Sequence, residues 1–214
     1  LYRSVAPVLV DVTTTDNEPA APLATVDSVV TFNRDAAAEQ NLSPQKNGQR
    51  SIIRQIEVAL NGDVAVSIGN VTNGSFVLTN TGTNVNVGLT VASRVFSGGK
   101  TRIVLMFTSG IEASGSLIDG YYLFLINGGV LGIDANRSGS VGGTHSTSFH
   151  RLFGDSDGDR DVDGQDFGRY RLATMATPAR PSVYSSVFDY DNDGGILRDL
   201  DDYYALFARL GSHL

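Results

Sequence analysis

At 214 residues with a net charge of −7, the chain has room for one large domain or two smaller ones. No cysteine occurs, which excludes disulfides, zinc–thiolate sites and thiol nucleophiles. From residue 151 onward twelve Asp and no Glu stand against seven Arg, so the acidity is local and no basic stripe is offered to nucleic acid. The low charged fraction and the abundance of Gly, Ser, Thr, Asn and Val favour a β-rich extracellular class. No apolar run reaches membrane-spanning length and no signal peptide is present. The chain opens on Leu1 rather than Met, as expected of a segment from a longer polypeptide.

Residues 1–21 hold a short apolar start, Val5 to Val10, and then a polar Thr/Asp/Asn stretch; they read as a linker or a stray strand. Candidate strands follow at Val26–Phe32, Ile52–Leu60, Val64–Ile68, Ser75–Asn80, Asn84–Val91, Thr101–Thr108 and Gly120–Ile126. Turn signals separate them at Asn61-Gly62, Asn73-Gly74, Ser97-Gly98-Gly99 and Asn127-Gly128-Gly129. Short alternating strands at this spacing predict an antiparallel β-sandwich over residues 22–150. The stretch Gly115-Ser116-Leu117-Ile118-Asp119-Gly120-Tyr121-Tyr122-Leu123 resembles a strand of Ig-like or cadherin-like domains. Tyr121 and Tyr122 are adjacent, so they point to opposite faces and form no aromatic platform for a sugar. Near the end of this region, Asp134, Asn136 and Ser138 put side-chain oxygens at alternate positions, followed by Gly139 and Val141. His145 falls where a closing acid would be needed, so this loop reads as a degenerate third calcium site or an ordinary Asx-rich turn.

The next loop is the most informative part of the chain. Carboxylates on alternate residues repel one another, and a hard divalent cation reverses that repulsion. Calcium takes six to eight oxygen ligands, which a twelve-residue loop supplies from positions 1, 3, 5, 7, 9 and 12. Asp155, Asp157 and Asp159 fall at 1, 3 and 5. Asp161 falls at 7, where its main-chain carbonyl is the expected ligand, Asp163 at 9 and Asp166 at 12. Val162, at position 8, is the apolar residue expected to pack between paired loops. Position 6 normally holds Gly for a sharp turn, but here it is Arg160, which lowers the expected affinity.

A second acid-rich loop follows with two competing registers. The one starting at Asp189 uses Asp189, Asp191 and Asp193, with Gly194 at position 6 and Ile196 at position 8; Asp202 closes it after a two-residue insertion. The one starting at Asp191 restores the spacing to Asp202 but puts Gly195 at position 5 and Arg198 at the apolar position. Either way Asp191, Asp193 and Asp202 are candidate ligands. Helices are predicted after each loop, over Asp166–Leu172 and over Asp199–Leu210, with Gly211 as the stop. A Thr/Ala/Pro-rich linker at 174–181 joins the two units.

The run Phe153-Gly154-Asp155 through Asp166-Phe167, the linker, and then Phe188-Asp189-Tyr190-Asp191-Asn192-Asp193-Gly194 resemble a dockerin type I module. The closer likeness is to the dockerin-like tail of large secreted planctomycete proteins, and it covers roughly residues 151–214. Phe149-His150-Arg151-Leu152-Phe153-Gly154-Asp155 is typical of the join in that family. The resemblance implies a duplicated loop–helix fold with two calcium ions, preceded by an Ig-like sandwich. In cellulosomal members it also implies cohesin binding through a Ser/Thr pair at loop positions 10 and 11. Gly164 and Gln165 stand at those positions here, which weakens that expectation.

Catalytic signatures are missing. His145, His150 and His213 are scattered, and no zinc-protease, nucleophile-elbow or P-loop motif occurs. Asp166-Phe167-Gly168 follows a calcium loop rather than a kinase fold. Glu18, Glu39, Glu57 and Glu112 are isolated and read as surface or rim acids. The expected protein is therefore a non-catalytic, calcium-binding structural or adhesive segment of a secreted or cell-surface bacterial protein. The tail is expected to dock on the sandwich, or on a cohesin-like or cell-surface protein or polysaccharide, since its helices carry more apolar surface than a small module can bury. A second reading is the carbohydrate-binding or accessory end of a secreted hydrolase.

Overall fold

The computed structural model describes residues 22–32, 51–175, 186–191, 196 and 200–214. The candidate strand Val5–Val10, most of the linker, Asp193 and Gly195 lie outside these residues. Among the described residues nine strands form two antiparallel sheets. The first is ordered β1 (Thr25–Phe32), β2 (Gln55–Asn61), β7 (Lys100–Phe107), β6 (Leu89–Ser97), β3 (Gly69–Asn70); the second is β5 (Val85–Val87), β4 (Phe76–Asn80), β8 (Gly120–Asn127), β9 (Thr144–Arg151). The helices are α1 (Gly128–Leu131), α2 (Gly164–Ala173) and α3 (Asp201–Phe207), with a 3-10 turn at Ser186–Phe188. Among the described residues no helix is long and apolar enough to cross a membrane.

Alternation builds the core. Ile103, Leu105 and Phe107 of β7 point inward while Arg102 faces solvent, and Tyr122, Phe124 and Ile126 of β8 meet them from the other sheet. Tyr121 is on the outer face of β8, opposite the buried Tyr122, as the sequence predicts. The β6–β7 hairpin closes through Gly98 and Gly99, both with positive φ, which matches the twist of the flanking strands.

Four expectations are corrected. The predicted strand Val64–Ile68 does not form; the Val64 N–H donates to the Thr101 hydroxyl and only Gly69–Asn70 pairs with β6. The predicted strand Asn84–Val91 is two strands in different sheets, divided at Gly88, where a Cβ would collide with the Thr108 hydroxyl. The join read from Phe149 to Asp155 begins inside a strand that was not predicted, β9, in register with β8 from Gly120↔Arg151 to Asn127↔Thr144. The helix predicted over Asp199–Leu210 is shorter, Asp201–Phe207, with turns carrying the chain to Gly211.

A second, smaller core lies beside the sandwich core. It gathers Leu152, Phe153, Val162, Tyr170, Ala173, Phe188, Ile196, Ala205 and Leu206 together with Ile52, which precedes β2. Ile52 and Ile53 are adjacent and both fully buried, yet Ile52 belongs to this cluster and Ile53 to the sandwich core. Ser51 adds two hydrogen bonds across the same seam, its hydroxyl donating to the Val187 carbonyl at 2.7 Å and accepting from the Gly154 N–H at 2.7 Å.

Candidate metal centre

The first acidic loop runs between β9 and α2. It opens at Gly154, whose φ is +99° and where a Cβ would lie 2.6 Å from Leu206 Cδ1 and 2.9 Å from Val162 Cγ1; no larger residue fits. Asp155 is fully buried. Its Oδ1 accepts from the Gly158 and Asp159 N–H groups at 2.5 and 3.2 Å. Its Oδ2 accepts from the Arg160 N–H at 3.1 Å and lies 2.7 Å from His150 Nε2. This wrapping turns the chain sharply, and Arg160 at position 6 adopts φ +85°, the conformation for which Gly is the usual residue. Its guanidinium sits 6.0 Å from the Tyr121 ring centre, so the unusual residue reaches across to the outer face of β8.

The far end of the loop is built by capping. Asp163 caps α2, accepting from the Gln165 N–H at 2.7 Å, and Asp166 reaches back to the Asp163 N–H at 3.0 Å. The other Asp166 oxygen accepts from the N–H and hydroxyl of Ser156, at 2.8 and 2.7 Å, which ties position 12 to position 2. Val162 is fully buried in the second core near Ile196. Its backbone pairs with the chain end: the Val162 N–H donates to the Ser212 carbonyl at 3.0 Å and its carbonyl accepts from the Gly211 N–H at 2.8 Å. Leu214 donates to the Arg160 carbonyl at 3.0 Å.

Acidic oxygens converge here. Asp155, Asp157 and Asp159 form one group and Asp161, Asp163 and Asp166 another, each with ligand atoms within 4.8 Å of one another. Two of these oxygens, Asp157 Oδ1 and Asp161 Oδ1, are buried without a hydrogen-bond partner among the described residues. Such an orphan is costly unless something positive meets it. Burial first, then Asp166 and Asp159, pushes the Asp157 carboxyl above its usual range; Arg169, 3.1 Å from Asp157 Oδ2, offsets part of this. Burial and the neighbouring Asp159 and Asp163 push Asp161 up as well. Buried, mutually repelling oxygens with orphaned lone pairs suit a hard cation such as calcium.

Asp189, Asp191 and Asp202 form a third convergent group, with Asp189 and Asp202 buried. Only the register starting at Asp189 uses that residue. Asp202 Oδ1 accepts from the Tyr190 N–H at 2.5 Å, closing the loop onto α3. The buried Tyr170 hydroxyl of α2 has no hydrogen-bond partner; burial and Asp202 raise its pKa to about 12.

The Asp134 loop wraps its carboxylate in the same way as the Asp155 loop, with the Ser138 and Gly139 N–H groups donating at 2.8 and 2.7 Å, but among the described residues it lacks convergent acids. Burial would raise its pKa, but those donors hold it below the usual carboxylate range. Asn136 is exposed, and among the described residues no other Asp, Glu or His joins Asp134 in a convergent group.

Sequence reasoning missed the charged seam between the two cores. Glu112, read as a rim acid, grips the fully buried Arg151 through both oxygens at 2.8 and 3.1 Å. Asp119 accepts from Arg151 at 2.7 Å, from the Phe153 N–H at 2.8 Å and from Arg209 at 2.5 Å; Arg209 also reaches Glu112 at 2.8 Å. Both guanidiniums flank the Phe153 ring at 5.8 and 5.6 Å. Arg54 donates to the Ser114 carbonyl at 3.1 Å and to the Asp189 and Tyr190 carbonyls at 3.4 Å. Only the position of Arg151, immediately before the acidic loop, was visible as a signal.

No family model matches the chain and no curated protein matches it. Among solved structures, the N-terminal part of the bacterial S-layer protein SbsC matches at 14% identity with a TM-score of 0.33, over 60% of this chain and 23% of that one. At that score the likeness carries neither fold nor function across.

Proposed function

We propose that this chain is a non-catalytic, calcium-binding structural or adhesive segment of a secreted or cell-surface bacterial protein. An Ig-like sandwich carries a dockerin-like tail that two calcium ions order. The observation that carries this reading is the buried Asp157 carboxylate oxygen, without a hydrogen-bond partner among the described residues, inside a loop of correctly spaced acids. Asp155, Asp157, Asp159, Asp163 and Asp166, with the Asp161 carbonyl, would hold the first ion. Asp189, Asp191 and Asp202 would hold the second, together with Asp193. Bound calcium supplies the positive charge that these oxygens otherwise lack. The shared Ile52, the Ser51 hydrogen bonds and the Arg151–Glu112–Asp119–Arg209 cluster support a tail fixed on the sandwich rather than held free for a cohesin-like protein or a polysaccharide. The test is calcium titration calorimetry with melting curves in calcium and in EGTA. Two binding events and a melting temperature raised by calcium are expected. Absence of binding heat, together with a melt indifferent to EGTA, rejects the reading.

A further inference from the structure

We propose that His150, a residue of the sandwich, is a positioning residue of the first cation site, holding the Asp155 carboxylate in its ligating orientation. The inference rests on the calcium reading above. Asp155 is fully buried and four donors surround it. Three are backbone N–H groups of Gly158, Asp159 and Arg160, which belong to the loop and move with it. The fourth, His150 Nε2 at 2.7 Å, is the one donor from outside the loop among the described residues. An ionised carboxylate only accepts, so the shared proton sits on Nε2.

The imidazole is itself held firmly. His150 is 6% exposed, lies in β9 opposite Tyr121 of β8, and meets that ring edge-on at 6.4 Å. Its neighbour Arg151 is locked by Glu112, Asp119 and the Ser51 carbonyl. The histidine is therefore a rigid external reference for a loop that must otherwise orient its first ligand unaided. Fixing a ligating group through a second hydrogen bond tunes metal sites generally, and losing such a partner costs about 10–100-fold in affinity.

The test uses the full chain and calcium itself. Titration calorimetry compares the wild type with His150→Phe, which keeps a ring but loses the donor, and with His150→Gln, whose side-chain amide can restore it. His150→Phe should weaken one of the two sites by about 10–100-fold and leave the other unchanged; His150→Gln should recover most of that loss. Equal binding by wild type and His150→Phe overturns the proposal, and so does a His150→Gln variant as weak as His150→Phe. Nitrogen-15 spectra of the wild type provide a measurement independent of either variant's folding. They should show His150 protonated at Nε2 and shifting on calcium addition; a neutral ring protonated at Nδ1 overturns the assignment. A wild type that binds no calcium fails the parent reading instead, and that result is separate from a bound site insensitive to His150.

Discussion

Asp155 and Asp163 belong to one loop and carry different loads. Asp155 is buried and organises three backbone N–H groups as well as His150, whereas Asp163 faces solvent in part and caps one helix. Removing a cap costs about 1 kcal/mol. Stranding several buried N–H groups costs about 1–3 kcal/mol each before water returns to them. Asp155→Ala should therefore lower stability by about 2 kcal/mol more than Asp163→Ala, and should also lose more calcium affinity. Urea midpoints and calcium titrations of the two variants check this; equal losses would mean that Asp155 does not organise the loop.

At the scale of elements, Ile52 shows where the seam between the cores runs. It is fully buried among residues of the tail although it lies more than ninety positions before them in the chain. Ile52→Ala should cost about 2–5 kcal/mol, the usual range for a large buried aliphatic cut back to Ala. It should also narrow the gap between melting temperatures in calcium and in EGTA, because the deleted side chain supports the loops rather than the sandwich. A loss of stability with that gap unchanged would place Ile52 in the sandwich alone. Sequence patterning showed most strands because alternation records which residues face inward. It did not show Ile52 leaving Ile53, because two adjacent isoleucines look the same whichever core each enters. Val64–Ile68 alternates like a strand yet finds no ladder, since alternation names faces and not partners. β9 was hidden by its polar Thr144-His145-Ser146-Thr147-Ser148, an edge strand with its outer part half in water. The first acidic loop was legible because its ligands are local in sequence. His150, Glu112 and Arg54 were not, since their roles exist only once distant segments meet.

For the whole molecule, Asp157 and Asp161 make the pH response depend on the cation. In the folded chain both carboxyls hold their protons above the ordinary value of 3.8. The folded chain thus holds these protons more tightly than the unfolded one, and both groups oppose folding as pH rises past that value. Without calcium, acidification through the raised carboxylate range toward 3.8 should relieve the penalty and raise the melting temperature. In saturating calcium the slope should reverse, because ligands must be ionised to bind. Calorimetric scans across that range in EGTA and in calcium test this; the same sign of slope in both would show that the Asp157 carboxylate does not bind the ion.

The pairing of Arg160–Val162 with Gly211–Leu214 has a consequence for synthesis. The sandwich strands are complete once Arg151 has been made, but the backbone partner of the first acidic loop is about fifty residues further along. At roughly 5–20 residues per second, the loop waits several seconds for its partner. During that interval its carboxylates stand beside one another with their closing strand unmade. The sandwich strands can therefore pair while the acidic loop is still open, and the loop closes only after residues 211–214 have been made.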